Sequence, residues 1–316
     1  MNKSRGAAFA LGTTKNLKVQ FKSFVMFCLY FKLDYLPTSI EVLALYVQFL
    51  SRSFASVISI KNYVNGVKVL HLGLGLEFPE LDYSYKLLLK GIARTNPHEE
   101  VQALPITPTV LLRMHAVMDL TRSFDRALWS AFLLGFYLFA RKSNLVPPSQ
   151  HAYDFKRHLA RGDIHISDVG LVVLIKWSKT IQAGERHILV PVLEVPGSPL
   201  CPRAAFVALI NGTPADGNAP AFVYSSPQGL STLTYSTFVS SLKHLLNKAG
   251  LDCKGYSGHS FRRGGASFAF QAGVPGELIQ LHGDWRSDAY LRYLTVPMQH
   301  RLKVTNLMRT LILNEP

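Results

Sequence analysis

A histidine and an arginine three positions apart, in His259-Ser260-Phe261-Arg262, are followed by Trp285 and then Tyr293. A guanidinium matches the paired oxygens of a phosphate. An imidazole can give or take a proton near neutral pH. An indole N–H donates and never accepts. A tyrosine hydroxyl can act as a nucleophile that splits one difficult displacement into two easier ones, provided cations and donors hold the charge that builds on the phosphate oxygens. The set suits a metal-free attack on a phosphodiester that leaves the tyrosine joined to nucleic acid. His-x-x-Arg alone is weak, so the reading depends on its companions.

Two further cations supply them. Arg141 closes an apolar run over residues 127–140, in Phe139-Ala140-Arg141-Lys142-Ser143-Asn144-Leu145. That position predicts a cation at the end of a rigid buried helix, set for a phosphate or simply satisfying the helix dipole. Lys179, in Trp177-Ser178-Lys179-Thr180, falls in a turn after an apolar strand. There it can protonate a leaving oxygen, or merely be exposed. His259 and Arg262 share one face of an expected helix, and only this spacing prefers Arg262 to Arg263. Gly264-Gly265 predicts close approach of a helix or of a DNA backbone. Trp285 follows an expected turn at Gly283-Asp284, and its ordinary reading is a core residue. Tyr293 is one of 13 tyrosines.

The elements that must position these residues change character along the chain. Leu17, Phe21, Phe24 and Cys28 recur at helical spacing. Thr38-Ser39-Ile40-Glu41 reads as a capping box with Thr38 as the cap, and helices are expected over residues 56–72 and 81–94. Residues 1–96 form a helical domain, 97–104 a linker, and 105–316 a second domain. Thr107-Pro108 opens a helix there, and residues 127–140 read as a buried one. Short strands are expected over 163–166, 170–177 and 186–192. Helices follow over 202–210, 235–249, 259–272 and 275–281, with an amphipathic tail over 298–313. The fold class is mainly α with a small antiparallel β-sheet.

Composition limits the partners. Net charge is +14, from 34 Lys and Arg against 20 Asp and Glu, which points to a polyanion, above all nucleic acid. Lys15, Lys18, Lys22, Lys61, Lys68, Lys86 and Lys90 could face a phosphate backbone or form a solvated surface. Cys28, Cys201 and Cys253 have no metal-ligand spacing, so no metal is expected and a reducing interior fits best. The apolar stretch 24–31 is too short for a membrane span, and neither a span nor a signal peptide is expected. An intracellular protein is the expectation, nuclear if the source is eukaryotic.

Taken together, Arg141, Lys179, His-Ser-Phe-Arg-Arg-Gly-Gly-Ala from His259 and Gly-Asp-Trp-Arg-Ser-Asp-Ala-Tyr-Leu-Arg-Tyr-Leu from Gly283 resemble the tyrosine recombinase (phage integrase-like) family. The wording is similar to recombinases of DIRS-like and Ngaro retrotransposons and, less closely, Cryptons. The resemblance implies a helical core-binding, DNA-binding domain followed by an α+β catalytic domain. It implies Arg141, Lys179, His259, Arg262 and Trp285 as the charge-handling set, with Tyr293 as nucleophile. It also implies DNA cleavage and rejoining through a 3′-phosphotyrosine without cofactor or metal, by a homotetramer on paired double-stranded DNA sites. Trp285 and Tyr293 are one position closer than is usual in the family, which keeps Tyr290 as an alternative, though it lies nearer to Trp285. Asn144 stands where many members carry a carboxylate, and His282 near the Trp position reads as structural or DNA-facing. Two other activities remain open: a non-catalytic DNA-binding protein derived from a mobile element, and a type IB topoisomerase-like relaxase.

Overall fold

The computed structural model describes residues 8–99, 102–178, 181, 186–296 and 298–315. It divides into two compact units, Met1–Val101 and Gln102–Pro316.

The first unit is built from α1 (Leu11–Phe31), α2 (Ile40–Ser51), α3 (Val57–Gly73) and α4 (Tyr83–Thr95). The helical spacing read from the sequence is the buried face: Phe24 and Cys28 of α1 meet Leu43, Tyr46 and Val47 of α2 and Ile60, Val64 and Val67 of α3. α1 stops where Lys32 turns left-handed (φ 55°), and the Leu33 N–H closes on the Cys28 carbonyl at 2.8 Å. The cap of α2 is Ser39, whose hydroxyl accepts from the Val42 N–H, and not Thr38. The Thr38 N–H instead donates to Nε2 of the buried His71 at 3.0 Å. Between α3 and α4 lies a groove of about 540 Å³, with exposed Lys61, Lys68, Lys86 and Lys90 around an apolar floor.

The second unit is organised around α6 (Ser123–Tyr137), whose residues from Ala127 to Phe136 are all buried. A helix apolar on every side is a core helix. Against it pack α5 (Pro108–His115), α8 (Pro202–Gly212), α9 (Tyr235–Lys248) and α10 (Ser260–Gln271). Thr107 caps α5 and Pro108 takes its first position. β1 (Ile164–Ser167), β2 (Gly170–Ile175) and β3 (Ile188–Leu193) form an antiparallel sheet in the order β1-β2-β3, with Val173 opposite Val190 and Leu171 opposite Val192. β3 alternates: Val190 and Val192 are buried while Leu189 and Leu193 face outward. A further hairpin, β4 (Val223–Ser226) with β5 (Gly229–Thr232), stands outside the three expected strands. The fold class is thus mainly α with a small antiparallel sheet.

α6 ends at Tyr137, before the expected residue 140, because Phe139 adopts a left-handed conformation (φ 46°) that reverses the chain. Arg141 therefore does not end the buried helix. It occupies the cap position of the short α7 (Lys142–Leu145). The chain closes with α11 (Gly276–His282), a 3₁₀ turn over Asp288–Tyr293, and α12 (Met298–Leu313). No described helix is long and apolar enough to cross a membrane.

Candidate active site

α10 carries the centre of the site, and its seating explains the two glycines. A Cβ on Gly264 would stand 1.8 Å from the Ile106 carbonyl oxygen, and one on Gly265 would stand 2.1 Å from that of Phe136. The close approach is therefore of protein backbone. Phe261 locks the first turn, its ring 4.8 Å from that of Phe132 on α6 and 5.3 Å from that of Phe238 on α9. His259 is the residue before the helix proper, and Arg262 lies within its first turn.

Arg262 is 2 % exposed. Its Nη1 donates to the Phe139 carbonyl at 2.5 Å and its Nη2 to the Gly283 carbonyl at 2.8 Å. The reversed backbone at Phe139 so gives Arg262 an acceptor, at a conformational cost of about 1–3 kcal/mol for a bulky residue in that region. The guanidinium stacks 3.6 Å from the centre of the Trp285 ring and lies 5.4 Å from that of Tyr293. Burial lowers its pKa first and the Arg141 charge second, while Tyr293 and Asp284 oppose both. Its Nε and the Trp285 Nε1 are buried, and neither has a hydrogen-bond partner among the described residues.

Arg141 and Arg262 line one narrow cleft of about 30 Å³, together with Asn144, Ser178 and Asp284. Arg141 is half-buried and makes no side-chain hydrogen bond or ion pair with the described residues. His259 lies at the edge of the same charge field. Its pKa is held below the ordinary value by desolvation, then by the charges of Lys142, Arg141 and Arg262, so the neutral imidazole is favoured. Lys179 falls outside the described residues.

Tyr293 ends the 3₁₀ turn, half-buried, with its ring 5.4 Å from that of Trp285. Two side chains of α10 tie its segment down. Ser267 Oγ donates to the Tyr293 carbonyl and accepts from the Thr295 N–H, and Arg263 Nη1 donates to the Arg292 carbonyl at 3.0 Å. Arg263 thus anchors the tyrosine segment, while Arg262 enters the cleft. Tyr290 also packs on Trp285, with ring centres 6.3 Å apart, but its hydroxyl lies by Gly276 at the start of α11, where an added Cβ would stand 2.5 Å from it.

Asp284 was read in the sequence only as part of a turn. Asp284, itself left-handed (φ 52°), accepts from Ser178 Oγ at 2.8 Å and pairs with Arg186. Asn144 Nδ2 donates to the Trp177 carbonyl at 3.0 Å, so the amide holds the chain just after β2 rather than a charged group. His282 Nε2 lies 2.8 Å from the Tyr137 carbonyl, a structural contact at the end of α6. The Gly-Asp turn before Trp285 was the visible trace of Asp284, but its distant partners were not.

The fold is that of the tyrosine recombinase catalytic domains, with the same α+β arrangement. No family model matches the sequence, and no curated protein does. Among solved structures the chain is similar to a lambda integrase dimer bound to a COC′ core site, at 14% identity over 91% of this chain and 90% of that one (TM-score 0.59). It is similar to the Tn1549 transposon integrase in complex with transposon right end DNA, at 13% identity over 97% and 96% (TM-score 0.59). It also resembles the XerH site-specific recombinase bound to a palindromic difH substrate, at 14% identity over 86% and 70% (TM-score 0.54).

Proposed function

We propose that this chain cleaves and rejoins double-stranded DNA by site-specific recombination or integration through a 3′-phosphotyrosine. The observation that carries the reading is Arg262: a buried cation pressed by a second arginine, stacked on an indole and beside a tyrosine, with unpartnered donors on itself and on Trp285. A buried charge of this kind is costly unless an anion completes it. A phosphate carries both the charge and the acceptor oxygens.

In the proposed step, the Tyr293 hydroxyl oxygen bonds to phosphorus as the bond to the 5′ oxygen breaks. The phenolic proton passes to a neutral base, for which His259 is the candidate, and Lys179 gives a proton to the departing oxygen. Arg141, Arg262 and Trp285 hold the charge on the non-bridging oxygens. The bond energy stays in the phosphotyrosine, so a 5′ hydroxyl from a partner strand reverses the step without cofactor or metal. Residues 1–96 act as the core-binding domain, with the lysine groove between α3 and α4 as a phosphate-facing surface. Residues 105–316 act as the catalytic domain, joined through 97–104. The similarity of the motifs to DIRS-like and Ngaro recombinases supports a mobile-element origin and, if the source is eukaryotic, a nuclear site of action.

A homotetramer has a route through α12. Met298, Leu302, Leu307 and Leu311 are exposed on it. An apolar groove of about 740 Å³ lies between β3, α10 and α11, with Phe268, Leu278 and Leu281 on its walls. The tail helix of one copy seats in that groove on the next.

The test incubates the protein with pooled candidate element ends carrying a nick that prevents religation, followed by SDS and sequencing of protein-bound DNA. DNA bound covalently by the protein and not by Tyr293→Phe supports the reading. Salt-sensitive binding without capture favours the non-catalytic DNA-binding alternative. Relaxation of supercoiled plasmid without sequence preference favours the relaxase.

A further inference from the structure

A second deeply buried arginine, Arg161, is 7 % exposed in the short turn that leads into β1. The backbone there is clamped: the Arg161 N–H donates to the Ala219 carbonyl and the Gly162 N–H to the Gly217 carbonyl, each at 2.8 Å. Arg161 Nη1 donates to the Thr213 carbonyl at 3.3 Å, just past the end of α8, and the guanidinium lies 5.9 Å from the centre of the Phe206 ring. Its Nε and Nη2 are buried, and neither has a hydrogen-bond partner among the described residues. The same holds for Thr213 Oγ1. No described carboxylate pairs with Arg161. Asp163, two residues on, is taken by the Ala160 N–H at 2.8 Å and by Lys176 at 2.7 Å. Burial pushes the Arg161 guanidinium down to about 10.

Arg161 lines a pocket of about 480 Å³ between β1 and α8. Ile164, Phe206 and Ile210 supply apolar wall, while His165 and Asn211 are exposed at its edge. The end of α8 offers a partial negative charge, but one carbonyl leaves two donors of the fork unused. A buried cation without an anion is costly, and a planar fork with open donors matches the two oxygens of a carboxylate. We propose that this pocket binds a monocarboxylate carried on an apolar body, with Arg161 as its counter-charge. A phosphate dianion asks for a second cation, and no other described Arg or Lys lines the pocket. The apolar walls take the hydrocarbon part of the ligand instead. The pocket shares no lining residue with the arginine cleft, so its occupancy stands or falls independently of strand cleavage.

The probes are benzoate and N-acetyl-leucine, with benzamide and N-acetyl-leucinamide as their uncharged counterparts and inorganic phosphate as a different anion. Saturation-transfer NMR and thermal unfolding of the full chain read the binding. A carboxylate probe should bind the parent saturably and raise its unfolding temperature, while its amide binds about tenfold more weakly or worse. Tighter binding of benzoate points to a free organic acid, and tighter binding of N-acetyl-leucine to a peptide C-terminus. Arg161→Met replaces the charge with a long apolar side chain and should weaken the carboxylate about tenfold or more, with the amide unaffected. Ile166→Trp, at an exposed position of the pocket lining, leaves Arg161 in place and should weaken acid and amide alike.

Without ligand, Arg161→Met should unfold at the parent temperature or above, because an uncompensated buried charge gives way to an apolar side chain of similar length. Failure of both carboxylates to bind the parent overturns the site, and a lowered unfolding temperature in Arg161→Met would then make Arg161 a structural tie at the end of α8. Binding that persists undiminished in both variants would place the carboxylate elsewhere on the molecule and overturn it equally. Phosphate that displaces benzoate from the parent at equal concentration, and does so through Arg161, would overturn the carboxylate class.

Discussion

The guanidinium of Arg262 lies flat against the indole of Trp285, 3.6 Å from the ring centre, while its two terminal nitrogens hold the backbone of Phe139 and Gly283. One side chain thus joins the chain reversal after α6, the turn before Trp285 and the face that looks toward Tyr293. Lysine cannot reproduce this, since its ammonium has neither the fork nor the plane. Arg262→Lys should reduce covalent DNA capture on the order of 10²-fold or more. It should also destabilise the second unit by about 1–3 kcal/mol, because buried carbonyls lose their donors. Single-turnover capture and urea unfolding measure the two effects. Capture at the parent rate would remove Arg262 from the reacting centre.

Gly264 is in backbone contact with Ile106, and no side chain there can move aside to make room. Gly264→Ala should cost about 3 kcal/mol or more, the upper range for overpacking, read as a lowered urea midpoint. Gly91, exposed on α4, is the contrast, since a Cβ there meets nothing within 4 Å. Gly91→Ala should stabilise by about 0.5–1 kcal/mol. Equal effects at the two positions would contradict the packing seen at α10.

His259 has its pKa lowered by desolvation and by three neighbouring cations. A neutral imidazole able to take the tyrosine proton is therefore retained to lower pH than usual. The rate of capture should stay level as pH falls from about 8 to about 6.5, the ordinary histidine value, and decline only below it. The linkage has the same sign. The folded pKa lies below the unfolded one, so stability is present above the unfolded value and is lost as pH falls through the folded one. A capture profile with its midpoint above about 6.5 would contradict this, and His259→Gln should remove the acid limb.

At the other end of the scale, burial pushes Tyr46 and Tyr85 up to about 12 and Cys28 up to about 11. These groups stay protonated in the folded first unit where the unfolded chain would ionise. Their contribution is complete below their unfolded values of 9.0 for Cys28 and 10.0 for the tyrosines, and is lost as pH rises toward the folded ones. Urea midpoints should therefore fall steeply above pH 9. Tyr46→Phe should lose about 1 kcal/mol at neutral pH with its bond to Ser23, yet show a shallower alkaline decline. An unaltered alkaline slope would place the ionisation elsewhere.

How much of this was legible in the sequence follows from the range of each interaction. The spacing of Phe24 and Cys28 and the apolar run through Phe136 are local patterns, and each marked a buried face. The reversal at Phe139 was not legible, because a left-handed phenylalanine goes against local preference and is held by Arg262 from 123 residues away. β4 and β5 lack the apolar alternation that marks a half-buried strand, since Tyr224-Ser225-Ser226 and Gly229-Leu230-Ser231 are mostly polar. The cap expected at Thr38 falls one residue later, at Ser39, while the Thr38 N–H is engaged by the buried His71. Residue types at the candidate site could be read from motif spacing. The ties that orient them could not: Asp284 to Ser178 spans 106 residues, and Arg263 serves the backbone beside Tyr293 rather than the cleft.

The most direct test is to identify the amino acid that carries the nucleotide after capture on nicked DNA, by nuclease trimming and tandem mass spectrometry of the linked peptide. The account predicts the adduct on Tyr293, with none in Tyr293→Phe. An adduct on Tyr290, which packs toward Gly276, or on any other residue would contradict the assignment of the nucleophile. Specific binding to the same DNA with no adduct at all would contradict the proposed cleavage itself.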